Sequence, residues 1–131
     1  MVRNFTIPYS IAIAFNGAEY DLHNNFTAAK MEFDFEKKSL HVRFEPWGEP
    51  EDRQPVNLIF EKIDSLFISP EILSIEELFL EELGFKSPDD VDYDWLTSEA
   101  KSTPLDHFVI ALSECRYIRV SCKSIVASLG Q

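Results

Sequence analysis

The stretch KMEFDFEKKSLHVRFE, from Lys30 to Glu45, dictates its own structure more firmly than any other part of the chain. Met31, Phe33 and Phe35 alternate with Lys30, Glu32, Asp34 and Glu36. After Lys37-Lys38 the alternation resumes as Leu40, Val42 and Phe44 against His41, Arg43 and Glu45. A period of two marks strands with one buried face. A loop centred on Lys37-Lys38 sets Phe35 opposite Leu40, Phe33 opposite Val42 and Met31 opposite Phe44. The same register sets Asp34 opposite His41, Glu32 opposite Arg43 and Lys30 opposite Glu45, so each outward pair joins an acid to a base or a histidine. Burying six large side chains at roughly 1.5–3 kcal/mol each outweighs charge pairs worth roughly 0.2–1 kcal/mol, so the core sets the register and the charges confirm it. Lys-Lys lacks the Asn or Gly that tolerates positive φ in a two-residue turn, which favours a four-residue loop, Glu36–Ser39.

On the N-terminal side, the odd positions from Ile7 to Phe15 are large and apolar or aromatic, and the even ones are Pro8, Ser10, Ala12 and Ala14. This predicts one strand whose second face is small. Asn16-Gly17 is a hairpin turn, since both residues accept positive φ, and Tyr20 and Leu22 lie on the return strand before Asn24-Asn25. On the C-terminal side, Pro46, Trp47, Gly48, Pro50 and Pro55, interspersed with Glu49, Glu51, Asp52 and Arg53, predict an exposed loop. Val56, Leu58 and Phe60 resume the alternation, and Ile63, Leu66 and Ile68 extend it, with Asp64-Ser65 as a bulge or turn.

Helix signals follow. Ser69-Pro70-Glu71 reads as a cap with proline at the first helical position, Ser74 with Glu77 as a capping box, and Gly84 as the terminator. Ile72, Ile75, Phe79 and Leu83 share one face at helical spacing. Ser87-Pro88-Asp89-Asp90 predicts a second helix, with Val91, Trp95 and Leu96 inward and Asp89 and Asp90 near the positive end of its dipole. After a polar loop from Ser98 to Pro104, Phe108, Ile110 and Leu112 and then Tyr117 to Cys122 predict a last hairpin near the sheet centre. Ile125, Val126 and Leu129 end the chain as a short helix or edge strand.

The 131 residues suit one domain, and 45% hydrophobic residues supply a real core. Twelve Lys plus Arg against 23 Asp plus Glu leave a formal charge of −11, which repels nucleic acid and anionic lipid and favours solubility or a basic protein partner. The excess acid lies in the Pro-rich loop after Trp47 and between Glu71 and Asp94. Cys115 and Cys122 share one extended segment roughly 20 Å long, too far apart for a disulfide, so reduced thiols and a cytoplasmic setting are expected. No stretch is long enough for a membrane helix. Arg3 and the Ala12-Ile13-Ala14 triplet imitate a signal peptide, but Pro8, Tyr9 and Ser10 interrupt its apolar run.

At Tyr20-Asp21-Leu22-His23-Asn24-Asn25-Phe26, leading into the charged hairpin, the chain resembles small acidic bacterial proteins of unassigned function. The likeness covers about the first third of the sequence. It implies a bacterial source and no particular activity; such small acidic proteins sometimes look like the immunity partners of bacterial toxins, but no residue here matches a functional motif.

The spacing of Asp90, Asp92 and Asp94 approaches a calcium loop, but Trp95 stands where the turn needs glycine and Lys101 where it needs the bidentate glutamate. His23, His41 and His107 share no metal-ligand spacing. Asp106-His107, or Asp34 across from His41, could orient an imidazole as a base, although no nucleophile motif accompanies either. Arg116 is the only cation beside Cys115, and no helix end lowers either thiol pKa. No cofactor or metal is implied.

The sequence therefore predicts a single α+β domain: an antiparallel sheet of about six to eight strands built from hairpins, covered by one or two helices. A β-sandwich with a helical insertion is the alternative. The expected function is non-enzymatic binding of a basic protein, with Trp47, Glu49, Glu51, Asp52, Asp89, Asp90, Asp92, Asp94 and Trp95 as contact residues. The rival is a small hydrolase or metal-dependent enzyme built on the histidines.

Overall fold

A computed structural model describes residues 1–48, 53–74 and 78–130. The chain forms β1 (Val2–Arg3), β2 (Thr6–Tyr9), β3 (Ala12–Phe15), β4 (Ala18–Asp21), β5 (Phe26–Asp34), β6 (Ser39–Pro46), β7 (Val56–Ile68), β8 (Leu80–Lys86), β9 (His107–Leu112) and β10 (Arg116–Leu129). The larger sheet has the order β5-β6-β7-β10-β9-β8, with β1 added in parallel to β10, and the smaller is β2-β3-β4. The large sheet bends until its two ends meet, where Ala28 N–H donates to the carbonyl of Leu78 at 2.7 Å. The small sheet joins it through Leu83 N–H, which donates to Ser10 at 2.6 Å.

Between them lies the core. Phe44, Leu58, Phe60, Ile110, Val120 and Ile125 come from the large sheet and Ile13 and Phe15 from the small one. Phe108 sits at its centre, with the rings of Phe5, Phe60 and Phe85 5.5–6.3 Å away in edge or tilted contact, geometries that favour aromatic pairs.

The predicted α+β class is overturned: the fold is antiparallel β in two sheets, and its only helical segments among the described residues are short 3₁₀ turns at Pro70–Ser74 and Glu99–Lys101. The helical insertion of the alternative is absent in the same way. Pro70 does open a helical turn, which lasts five residues; Ile75 and Glu77 of the expected stripe and capping box lie outside the described residues. Of the expected stripe, Ile72 lies in that turn, Phe79 just before β8 and Leu83 inside it, so its described members share no helix, and β8 itself carries a bulge. The pairing of β8 with β9 shifts between Leu80 and Glu82, so the buried positions Leu78, Leu80, Leu83 and Phe85 run two, three, two. A three-residue step is what a helix also produces. Nor does Gly84 end a helix. It lies inside β8 where a Cβ would fall 2.6 Å from that of Leu96.

The hairpin from Lys30 to Glu45 forms, in a register two residues from the expected one. Phe33 pairs with Leu40, Met31 with Val42, Glu32 with His41 and Asp34 with Ser39, and a bulge at Ala29 brings Ala28 opposite Phe44. The turn is therefore Phe35 to Lys38, closed by Lys37 N–H donating to the Asp34 carboxylate at 3.1 Å, with Lys38 taking a φ of +53°. A two-residue shift keeps every side chain on its face. It breaks the predicted charge pairs. Lys30 now faces Arg43, and the ion pairs run along the strands, Lys30 with Glu32 at 3.6 Å and Arg43 with Glu45 at 2.6 Å. Of the six expected core residues only Leu40, Val42 and Phe44 are fully buried; Phe33 is 42% exposed and Phe35 73%.

Elsewhere the predicted strand from Ile7 to Phe15 is two, folded back at Ser10-Ile11. Asn16 and Gly17 turn with φ of +53° and +79°. A bulge falls at Asp64, between the pairs Ile63 with Cys122 and Ser65 with Ser121. The last hairpin lies inside the sheet, and Ile125 to Leu129 continue β10, paired with β7, rather than forming a helix or an edge.

Candidate functional site

The acid-rich segment after β8 forms a strap, not a helix. Ser87 to Leu96 leaves β8 at Lys86, crosses the outer face of the sheet, and returns at Thr97, which exchanges backbone hydrogen bonds of 2.8 and 2.9 Å with Phe85. Asp89 and Asp90 thus start no helix. A turn replaces it, closed by Asp90 N–H donating to Ser87 at 3.0 Å. Asp90 accepts from Asp92 N–H at 2.9 Å, and Asp92 from Asp94 N–H at 2.6 Å. Carboxylates at alternate positions thereby cap their own backbone, which competes with regular structure.

Two buried cations hold the strap from beneath. Lys86 is completely buried, its ammonium 3.2 Å from the Asp90 carboxylate and 3.9 Å from the centre of the Trp95 ring. Arg119, on β10, donates to the carbonyls of Asp90 at 2.6 Å and Ser87 at 2.8 Å, and its Nε donates to His107 Nδ1 at 2.9 Å. Such buried charges need several good partners to be tolerated. The Asp92 N–H and the Lys86 ammonium hold the Asp90 carboxyl below the ordinary carboxylate range. Tyr93 completes the anchorage by stacking on Tyr117 at 4.3 Å and on Phe67 at 6.3 Å.

Both local cations are consumed under the strap, and the acids lie above them. Asp89, Asp92 and Asp94 are exposed, as are Val91 and Trp95, the latter 57%. Beside the strap runs a cleft of about 290 Å³ whose lining combines Ile7, Leu83 and Leu96 with Glu82 and Glu99. Glu99 is engaged there, accepting from Ile7 N–H at 3.1 Å and lying 2.7 Å from the Arg3 guanidinium in an ion pair poorly aligned for a hydrogen bond.

The two predicted tryptophan segments do not form one surface. Trp47 is 50% exposed and packs edge-on against Phe79, just before β8, whereas Trp95 covers Lys86 at its far end. Seven residues of strand separate them by roughly 20 Å. Glu49, Glu51 and Asp52 lie outside the described residues.

The histidines are dispersed as well. His23 Nδ1 meets the carbonyl of Leu80 at the start of β8, and His107 pairs with Lys86 at its end. His41, on β6, lies with Nε2 2.7 Å from Asn57 Oδ1; an amide oxygen only accepts, so Nε2 carries the proton. Asn57 is buried and donates to the carbonyl of Gly130 at 2.9 Å, as Arg43 does at 3.0 Å, so this outer-face network ties down the end of β10. Because arginine only donates, His107 Nδ1 is an unprotonated acceptor, and burial, with the Arg119 charge, pulls its pKa down. Asp106 does not orient it, since that carboxylate accepts from Thr103 N–H and Oγ1. Asp34 faces Ser39, not His41.

Among the described residues no three His, Cys, Asp or Glu side chains converge on a metal position. Cys115, in an exposed turn, and Cys122, on β10, are free thiols, and burial pushes Cys122 up to about 11. Arg116 is turned to the carbonyls of Glu71 and Glu114. No helix among the described residues is long and apolar enough to cross a membrane.

The strap was visible in the sequence as an acidic run around Trp95. Its anchors, Lys86 and Arg119, were not, because neither stands out in a chain read by polarity; only the pairing of β8, β9 and β10 brings them together. No protein-family model matches this chain, and no curated protein or solved structure does.

Proposed function

We propose that this protein is a non-enzymatic protein-binding module, immunity-like in kind, that receives a basic partner on the strap from Ser87 to Leu96. The arrangement of charge carries the reading. Lys86 and Arg119 are buried beneath the strap, while Asp89, Asp92 and Asp94 are exposed and, among the described residues, no cation forms an ion pair with them. A cationic surface supplies the missing complement and is steered toward it by the net charge of −11. Trp95 and Val91 give the centre of the contact an apolar anchor. The adjoining cleft, apolar with the Glu82 carboxylate on its lining, suits a lysine or arginine side chain, whose stem is apolar and whose head is charged.

The test is calorimetric titration with a panel of purified small basic proteins at low and high salt. Binding by a panel member that weakens with salt, and weakens tenfold or more in the Asp89→Asn/Asp92→Asn/Asp94→Asn variant, supports the reading. Binding untouched by that variant, or no binding across the panel, counts against it.

A further inference from the structure

A recess of about 660 Å³ opens on the outer face of the large sheet, where the β5–β6 turn, β7, β10 and β1 come together. Leu58, Phe60 and Ile125 turn into the core, so Ile59, Glu61 and Ser124 beside them turn outward. Ile59 and the exposed Val2 give the recess an apolar lining, and Lys37, Lys62 and Lys123, all exposed, give it charge. We propose that it receives an acidic segment of a partner protein, whose carboxylates these three lysines take.

The local charge runs against that of the molecule. Lys30 and Lys86 each have an acid partner, at 3.6 and 3.2 Å. Lys37, Lys62 and Lys123 form no ion pair among the described residues. Glu61 is the one acid among the described lining residues, and its carboxylate accepts from the Ser124 hydroxyl at 3.2 Å. The Asp34 carboxylate, beside the turn, accepts from the Lys37 N–H. In a chain of net charge −11, three cations are thus gathered against one lining acid, and an anion relieves their mutual repulsion.

The backbone points to the lysine side chain itself. Lys62 holds a φ of +54° and Lys38, in the facing turn, one of +53°; the two segments are tied by Ile63 N–H donating to the Lys38 carbonyl at 2.9 Å. Glycine or asparagine adopts that conformation with less strain. Lysine at position 62 keeps a charge at the recess despite it.

The donors define the occupant. The ammonium groups come from three separate elements on flexible stems, with no arginine fork on the lining, so they suit carboxylates spaced along a chain rather than one phosphate. Ile59, Val2 and the neighbouring Val126, 38% exposed and paired with Ile59, suit apolar side chains between those carboxylates. A nucleic acid continues past the recess onto a surface whose net charge repels it.

The test is titration with a six-residue oligoglutamate at low salt, followed in a proton–nitrogen correlation spectrum. The amides of Lys37 to Ser39, Ile59 to Lys62 and Lys123 to Ser124 are expected to shift together, while those from Ser87 to Leu96 stay in place. Replacing two of the glutamates by valine is expected to keep the affinity within threefold, the apolar lining offsetting the lost charge. Lys37→Gln, Lys62→Gln and Lys123→Gln are each expected to weaken binding threefold or more, and Lys101→Gln, an equal change in net charge outside the recess, to leave it unchanged. Lys62→Gly, which suits the positive φ, is expected to keep the fold by circular dichroism and to weaken binding as Lys62→Gln does. Shifts confined to other surfaces, lysine variants that bind like wild type, or a tenfold loss on valine substitution would overturn the proposal. So would tighter binding of a thymidine hexanucleotide, displacement of the peptide by inorganic phosphate at equal concentration, or self-association of the wild type that the lysine variants abolish.

Discussion

Arg119 and His107 show how single residues set the character of the strap. Arg119 is buried with three acceptors, two carbonyls and an imidazole nitrogen, and has the Tyr93 ring 5.7 Å away. Only a guanidinium spans all three. Arg119→Met is therefore expected to destabilise the fold by about 1.5–3 kcal/mol, the scale of hydrogen bonds from a charged donor, and Arg119→Lys to recover little of it; urea unfolding of the three proteins measures this. His107 makes the same corner sensitive to pH. Its folded pKa lies below the unfolded value because of burial and Arg119. As pH falls below about 6.5 the unfolded chain takes the proton first, so the stability tied to neutral His107 declines and levels off below the folded pKa. Stability measured from pH 7.5 to 5 should fall more in wild type than in His107→Gln; parallel curves would refute it.

At the scale of elements, three bulges explain most of the distance between sequence and structure. Ala29 in β5, Asp64 in β7 and Glu81 in β8 each insert a residue into a period of two. In β5 the strong alternation survives, so strand and faces were legible; the turn was misplaced because the Asp34 carboxylate, closing the loop on Lys37 N–H, competes with the apolar claim of Phe35. Before and within β8, Ile72, Ile75, Phe79 and Leu83 fall at helical spacing beside a proline and a serine that imitate caps, so helix and strand patterns could not be told apart locally. Tertiary pairing with β9 decided the matter. Gly84 shows the same confusion in one residue. As a helix terminator it would be surrounded by space, but in β8 it admits the close approach of Leu96 and Thr97. Gly84→Ala is accordingly expected to cost about 1–3 kcal/mol, the range of overpacking, in thermal unfolding. A neutral or stabilising effect would show that the strap yields.

For the whole molecule, the distribution of charge matters more than its sum. The acidic run near Trp95 was legible from composition, but whether it faced outward was not, because that depends on two cations contributed by β8 and β10. The charge pairs of the Lys30–Glu45 hairpin likewise run along its strands rather than across them. Trp47 and Trp95, equivalent in the sequence, became distinguishable once β8 was seen to lie between them. That separation makes the central claim measurable in one experiment. Each tryptophan gives its own indole N–H signal in a proton–nitrogen correlation spectrum, which can be followed while an oligolysine peptide is added at low salt. If the strap is the surface that receives a basic partner, the Trp95 indole and the amides from Ser87 to Leu96 shift together, Trp47 stays in place, and salt reverses the change. Equal shifts at both tryptophans, or a response spread over the acidic surface that leaves the strap unmoved, would contradict it.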